Sequence, residues 1–148
     1  MNPSKKTDEK DRQWIPVQEG LFEYPPANGR KPALHASQCK NCGKRFFPKR
    51  VLCPNCFQKG ELMEIMLNRR GIIYVSTVVH IPSPVGIKAP YAYGYVDIPA
   101  DDIRVFALFA GDDPDSFTPG REVELMLEPI GINEKGQQII GYKFKPAA

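Results

Sequence analysis

The second half of the chain alternates apolar and polar residues with a period of two, the pattern of half-buried β-strands. The alternation is clearest in two segments near the C-terminus, whose predicted inward positions are Val123, Leu125, Leu127, Ile140, Tyr142 and Phe144. Earlier segments are instead rich in β-branched and aromatic residues, which also favour strands. The pattern therefore predicts five short strands, at residues 71–80, 91–98, 104–110, 122–128 and 140–144.

Two glycines interrupt the predicted strands where a tightly coiled sheet must bend. Gly94 lies in the second strand and Gly141 in the fifth. Because closure removes exposed sheet edges, five short strands with such bends favour a small closed barrel of the oligonucleotide/oligosaccharide-binding (OB) type. Residues 111–120 are too few and too rich in aspartate and proline for a helix, so we expect a loop there.

Four cysteines precede the barrel as two Cys-x-x-Cys pairs, Cys39 with Cys42 and Cys53 with Cys56, separated by ten residues. Each pair brings two thiolates to one side of a tight loop, and two facing pairs supply the four sulfurs of a tetrahedral zinc site. Disulfides, a redox pair and iron are the alternatives. Disulfides need an oxidising compartment for which the sequence has no signal, and a redox motif needs one pair. The sequence predicts a zinc ribbon with a filled, structural metal site.

The residues that follow the two pairs differ. Gly43 suits a backbone position with positive φ, whereas Phe57, in the equivalent place after the second pair, does not. His35 and His80 are interpreted as a loop histidine and a strand-end histidine, because four thiolates already complete the coordination of zinc.

An apolar segment from Trp14 to Tyr24 lies ahead of the cysteines in an otherwise polar region. It predicts a short helix or an extended arm that covers the chain's own ribbon or a partner subunit. The chain is thus mainly β, with an N-terminal arm (residues 1–33), a zinc ribbon (34–68) and a five-stranded barrel (69–148). No apolar run reaches the roughly 20 residues that cross a bilayer, and the charged start lacks an export segment, so we expect a cytoplasmic protein without a membrane partner.

Charge is distributed unevenly along the chain. Residues 29–70 carry ten lysines and arginines against two glutamates, a net charge of +8, whereas residues 71–148 carry a net charge of −4. A cationic ribbon attracts phosphates, on a nucleotide-bearing cofactor or on nucleic acid. A solvated basic face that serves solubility is the plainer interpretation.

The order of arm, ribbon and barrel resembles the rubredoxin-like zinc-ribbon/OB-fold proteins associated with acyl-CoA metabolism. The resemblance extends from about Leu34 onward. It rests on five segments, at residues 34–43, 47–50, 70–80, 89–96 and 142–146. Phe57 and the acidic loop from Asp112 to Asp115 depart from the family pattern.

The resemblance implies a non-catalytic accessory subunit that forms a hetero-oligomer with a thiolase-fold enzyme acting on CoA thioesters. The partner would supply the Claisen chemistry, and the CoA thioester would be a shared ligand. Together with the cationic ribbon, the resemblance predicts phosphate or acidic partner contacts and a neighbouring apolar contact. The basic residues are Lys49, Arg50, Arg69 and Arg70, and the apolar ones are Phe47 and Pro48.

Two further functions stay open. One is binding of single-stranded nucleic acid, with Tyr91, Tyr93 and Tyr95 as a stacking platform. The acidic barrel argues against it, because a groove that follows a nucleic-acid strand should be basic. Packing inside the barrel is the favoured interpretation of the tyrosines. The other function is binding of acyl-CoA without any partner.

Overall fold

The computed structural model describes residues 14–24, 30–57, 61–84 and 86–147, and these form a mainly β protein. The strands along the described residues are β1 (Trp14–Pro16), β2 (His35–Cys39), β3 (Arg45–Phe46), β4 (Leu62–Met66), β5 (Arg70–Val79), β6 (Tyr91–Ile98), β7 (Ile103–Phe109), β8 (Glu122–Ile132) and β9 (Gln138–Pro146). Two single-turn 3-10 helices, Pro99–Asp101 and Pro114–Ser116, follow β6 and β7. No helix in the described ranges has the length and apolarity to span a membrane.

Strands β5 to β9 close a five-stranded barrel in the order β5-β6-β7-β9-β8. β5 pairs antiparallel with both β6 and β8, and β8 continues into an antiparallel pairing with β9. The barrel closes where β7 meets β9 in parallel, with Leu108 opposite Lys143. The predicted OB-type barrel is thereby confirmed. β8 is longer than predicted, because an irregularity between Pro129 and Gly131 lets the pairing with β9 continue to Ile132.

Gly94 lies where two barrel strands approach each other most closely. A Cβ atom on Gly94 would overlap the Val75 carbonyl oxygen and lie 2.8 Å from the Ser76 Cα. At Gly141 the obstacle is a side chain, since a Cβ atom would lie 2.9 Å from the Ile130 Cδ1. Both glycines thus lie at close approaches, as expected for a tightly coiled sheet.

The ribbon is a three-stranded antiparallel sheet in the order β3-β2-β4. The central strand β2 ends at Cys39, so the sheet fixes the position of the first metal ligand. Leu34, Ala36 and Leu67 are buried on this sheet and belong to the same hydrophobic cluster as the barrel interior. The boundaries predicted at residues 33/34 and 68/69 stay a prediction, because one core spans the segments.

The N-terminal arm contains a short strand, bends and a turn, and no helix, in the residues that the structure describes. β1 lies parallel to β9, with Ile15 opposite Ile139. Further along, Phe22 forms a bridge with Leu34, and the His35 N–H donates to the Leu21 carbonyl at 2.8 Å. The arm therefore packs on the chain's own barrel and ribbon rather than forming the alternative short helix. Residues 1–13 and 25–29 of the predicted arm lie outside the described residues.

The turn between β6 and β7 connects the barrel to the ribbon. The Arg45 guanidinium donates from Nη1 to the Asp101 carbonyl at 2.8 Å, and the Asn68 N–H donates to the Asp101 carboxylate at 2.6 Å. Hydrogen bonds from charged groups are stronger than neutral ones. Asp101 therefore holds the ribbon and the start of β5 against one end of the barrel.

Candidate metal centre

The two Cys-x-x-Cys turns share one backbone geometry. The Gly43 N–H donates to the Cys39 carbonyl at 2.8 Å, and the Phe57 N–H donates to the Cys53 carbonyl at 2.7 Å. Gly43 has φ of 77° and Phe57 has φ of 58°. The expectation that Phe57 would not adopt positive φ is therefore wrong, since the second turn imposes this conformation on a phenylalanine. A side chain there costs roughly 1–2 kcal/mol relative to glycine.

The four cysteine sulfurs converge on one point. All four Sγ atoms lie within 4.8 Å of one another, and the Cys42 and Cys53 Sγ atoms are 3.7 Å apart. Zinc–sulfur bonds of about 2.3 Å in a tetrahedron place sulfurs roughly 3.8 Å apart, so the spacing fits a tetrahedral ion. Cys39 and Cys53 are buried, while Cys42 is exposed at the surface. The cluster is suited to a structural metal ion.

Hydrogen bonds and neighbouring thiols give Cys42 and Cys56 different pKa values. A backbone hydrogen bond at Lys44 lowers the pKa of Cys42 to about 6. The Asn41 amide donates to the Cys56 Sγ at 3.3 Å, which lowers the pKa of Cys56, but the neighbouring thiols and burial outweigh it and raise that pKa to about 11. The titrations of the clustered thiols therefore depend on one another.

Neither histidine contributes to the sulfur cluster in the described part of the chain. His35 begins β2 rather than lying in a loop, and its Nδ1 is 3.2 Å from the Glu64 carboxylate. His80 follows the end of β5 and is exposed. Among the described residues, the candidate metal site consists of the four cysteines.

The apolar and basic residues predicted as CoA or partner contacts lie on two segments. Phe47 and Pro48 follow β3, and Phe47 is partly buried against the core, with its ring centroid 5.6 Å from that of Tyr142. Lys49 and Arg50 follow in the same loop. The Lys49 ammonium pairs with Glu64 at 2.7 Å, and this pairing lowers the pKa of the Glu64 carboxyl.

The second basic segment is at the start of β5. Arg69 is engaged inside the protein, because its Nη1 lies 3.4 Å from the Glu124 carboxylate and its Nη2 donates to the Leu125 carbonyl at 3.0 Å. Arg70 is exposed and opposes Glu124 across the β5–β8 pairing. The structure therefore splits the six predicted residues between the ribbon loop and the barrel edge.

The tyrosines of β6 point away from the barrel interior. Ala92, Val96 and Ile98 are buried on the opposite side of the strand. The favoured interpretation of the tyrosines as barrel filling is wrong, because the small and branched residues of β6 face the interior and its tyrosine rings lie on the opposite side of the strand. Alternation along β6 places the three tyrosines on one side of the strand, but it does not reveal which side faces the interior.

A neighbouring strand adds a residue that sequence analysis missed. The Phe106 ring on β7 lies 5.4 Å from Tyr93 and 5.7 Å from Tyr95, measured between centroids. At the edge of this cluster the Arg104 guanidinium stacks on the Tyr74 ring at 3.4 Å and forms two hydrogen bonds with Asp97, at 2.6 and 3.1 Å. Cross-strand register, which single-strand patterns do not reveal, brings these side chains together.

Two family models match the two halves of this architecture. The model described as the rubredoxin-like zinc ribbon domain of ChsH2 matches residues 29–60. The model described as the C-terminal OB-fold domain of ChsH2 matches residues 64–128. The first match contains all four cysteines, so the converging sulfurs form the metal site of a zinc ribbon.

Similar proteins extend the match over nearly the whole chain. A benzoylsuccinyl-CoA thiolase subunit BbsA from Thauera aromatica is 41% identical, with 81% of each chain covered. Its counterpart of the same name from Geobacter metallireducens is 38% identical, with 97% of this chain and 94% of that protein covered. A DUF35 domain-containing scaffold protein from Methanothermobacter thermautotrophicus is 35% identical, with 76% and 86% covered.

A solved structure has the same fold. The Ltp2-ChsH2(DUF35) aldolase superposes with a TM-score of 0.62 over 78% of this chain and 86% of the other, at 22% identity. The resemblance read from the sequence is therefore confirmed, and the chain belongs to the ChsH2 (DUF35) family, whose members join a rubredoxin-like zinc ribbon to an OB fold.

Proposed function

We propose that this protein is a non-catalytic, zinc-binding accessory subunit of a thiolase-fold enzyme that acts on CoA thioesters. The similarity to the BbsA thiolase subunit over 97% of this chain carries the proposal. The accessory subunit would stabilise the complex and help to position the acyl-CoA. Binding energy from such positioning contributes to catalysis without any reacting group on the accessory chain.

Zinc would be held by Cys39, Cys42, Cys53 and Cys56. Four thiolates fill the coordination shell of zinc and leave no position for a substrate or an activated water. The ion would therefore supply cross-linking of the two turns rather than Lewis-acid chemistry. Since Cys39 ends β2 and Cys53 is buried, such a link would fix the loop between β3 and the second turn.

Thioester chemistry would belong to the partner. The chain has four cysteines, and all of them converge on the metal site, so none remains as an acyl-accepting nucleophile. His35 is paired with Glu64, and His80 is exposed after β5. This chain would contribute a contact surface and charged side chains to the complex.

Lys49, Arg50 and Arg70 are the residues we assign to the CoA phosphates or to an acidic partner surface. All three are exposed, and the loop carrying Lys49 and Arg50 is anchored by hydrogen bonds to Ser37 on β2 and Glu64 on β4. The Arg50 N–H donates to the Ser37 hydroxyl at 2.9 Å, and the Lys49 ammonium donates to Glu64. Arg69, by contrast, would stabilise the β5–β8 pairing through Glu124. Phe47, with Pro48 beside it in the chain, would hold this loop in place through its ring contact with Tyr142.

Co-purification tests the proposal. The tagged full chain is isolated from native extract, and the associated proteins are identified by mass spectrometry. We expect a thiolase-fold subunit in defined stoichiometry, with CoA-thioester turnover that falls when this chain is left out of the reconstituted complex. A thiolase-fold subunit that is fully active alone and never associates with this chain would contradict the proposal.

The outward aromatic cluster favours a second candidate function, binding of single-stranded nucleic acid. Tyr93, Tyr95 and Phe106 offer ring faces on the outside of the barrel. A strand-tracking groove also needs cations, yet Arg104 at the edge of this cluster is already paired with Asp97. A filter-binding assay with a single-stranded oligonucleotide tests this function, and steeply salt-dependent binding would support it.

Calorimetry with a CoA ester tests the remaining option, a stand-alone acyl-CoA-binding protein.

A further inference from the structure

The second cysteine turn carries the most exposed apolar side chains of the described ribbon. Val51 is 84% exposed and Phe57 is 75% exposed, and Leu52 between them in the chain is exposed as well. They flank Cys53 and Cys56, and the hydrogen bond from the Phe57 N–H to the Cys53 carbonyl closes the turn between them. Val51, Leu52 and Phe57 are called the knuckle tip below.

The conformation of Phe57 is unfavourable for the fold alone. Its φ of 58° matches that of Gly43 in the first turn, where glycine takes this conformation without steric cost. Phe57 is not part of the hydrophobic core cluster, and among the described residues it makes no ring contact that would offset the strain. An exposed aromatic side chain on a strained backbone, next to a metal-fixed turn, is typical of a functional contact.

The surroundings of the knuckle tip are cationic. Residues 39–57 contain five lysines and arginines and no aspartate or glutamate. A divalent ion on four thiolates would add two negative charges, which leaves a net charge of +3. Arg50 precedes Val51 and has no ion-pair partner among the described residues. The Lys44 ammonium lies 3.4 Å from the side-chain oxygen of Asn55, which belongs to the second cysteine turn.

We propose that the knuckle tip inserts into an apolar pocket bordered by carboxylates on the thiolase-fold partner subunit. This inference rests on the proposed function and names the surface through which it operates. Protein interfaces bury apolar anchors at their centre and keep charges at the rim, and the exposed Arg50 next to Val51 in the chain suits such a rim. Two of the three side chains are aliphatic and do not stack on bases, so a protein pocket fits the tip better than nucleic acid.

The apolar partner contact then lies at the second cysteine turn rather than at Phe47 and Pro48, where the sequence predicts it. The Phe47 ring instead packs against Tyr142 within this protein. Phe57 and Val51 are more exposed than Phe47. Arg50 lies in the chain between Pro48 and Val51. Arg50, one of the basic residues assigned to the CoA phosphates, thus directly precedes the knuckle tip in the chain.

Substitution of Phe57 by glycine separates binding from folding. Glycine suits the positive φ, so Phe57→Gly should keep the wild-type metal content and melt no earlier than wild type. The probe is the thiolase-fold subunit obtained by co-purification, titrated as purified protein against the full-length chain by biolayer interferometry. We expect the Kd to rise at least tenfold for Phe57→Gly and severalfold for Val51→Ser.

Two controls complete the test. Ile81→Ser alters an equally exposed apolar residue in the β5–β6 connection, 72% exposed, and should leave the Kd within twofold of wild type. Arg50→Gln should slow association and reduce its dependence on salt. Wild-type affinity of both Phe57→Gly and Val51→Ser would overturn this inference alone, whereas a wild-type chain that does not bind the subunit would overturn the proposed function with it. Loss of single-stranded oligonucleotide binding in Phe57→Gly, at unchanged subunit affinity, would assign the tip to nucleic acid and likewise overturn the inference.

Discussion

The Phe47 ring meets the Tyr142 ring edge-on, with centroids 5.6 Å apart and planes at 86°. Phe47 follows β3 of the ribbon and Tyr142 lies in β9 of the barrel, so the contact joins the two parts. The Tyr142 hydroxyl in turn donates to the Phe106 carbonyl at 2.6 Å. The ribbon loop that carries Lys49 and Arg50 is therefore positioned by an aromatic contact that is itself fixed to β7.

Truncation of Phe47 should loosen this junction. Because its ring is partly buried against the core, we expect Phe47→Ala to lower the free energy of unfolding by about 2–3 kcal/mol. Val51→Ala, at a position that is 84% exposed, should change it by less than about 0.5 kcal/mol. Urea denaturation of both variants measures the difference. Equal midpoints would show that the ring contact does not hold the ribbon.

Metal content should depend on the cysteines and not on the histidines. We expect one zinc ion per chain by elemental analysis, and its loss in Cys53→Ser, because Cys53 is a buried member of the sulfur cluster. His35→Gln is the matched control and should retain the ion, since His35 pairs with Glu64 outside the cluster. Hydrogen exchange should show β2 to β4 losing protection in Cys53→Ser while the barrel strands remain protected. A chain purified without metal that keeps full ribbon protection would contradict this expectation.

The strands and the metal ligands could be predicted because both are local signals. Alternation in β8 and the spacing of the cysteine pairs each depend on a few neighbouring residues. The close approach of two strands at Gly94 could also be predicted, since a glycine inside a strand indicates such an approach.

The features that the sequence does not reveal depend mainly on contacts between distant residues. Whether the β6 tyrosines face inward follows from which side of the strand closes the barrel, and Val96 and Ile98 occupy that side. The engagement of Arg69 requires Glu124, which register alone brings opposite the start of β5. The positive φ of Phe57 shows the same effect at the metal site, because the turn geometry overrides the residue's own preference.

An added methyl group at Gly94 should disrupt the barrel. The new Cβ atom would overlap the Val75 carbonyl, which is backbone and cannot rotate away. We expect Gly94→Ala to lower stability by roughly 3 kcal/mol or more. Gly141→Ala is the matched control, because its neighbour is the flexible end of Ile130, and it should cost about 1 kcal/mol. Thermal melts of the two variants give the comparison, and equal losses would contradict the proposed close approach.

The partly buried Tyr142 should make the barrel sensitive to alkali. Burial raises the pKa of Tyr142 to about 12 from its ordinary value of 10. Above pH 10 the unfolded chain therefore releases a proton that the folded chain retains, so stability should fall between pH 10 and 12, by roughly 2 kcal/mol. Below pH 10 this contribution to stability is fully present.

Tyr142→Phe tests the effect because phenylalanine does not ionise. Near pH 8 the variant should be less stable than wild type by about 1 kcal/mol, since it loses the hydrogen bond to the Phe106 carbonyl. That deficit should shrink and then reverse as the pH rises toward 12, because only the wild type loses the contribution of the protonated hydroxyl. Tyr95→Phe removes a hydroxyl from an exposed ring and serves as the matched control. Denaturant unfolding across this pH range provides the curves. A constant difference between wild type and Tyr142→Phe would mean that folding does not raise the pKa of Tyr142.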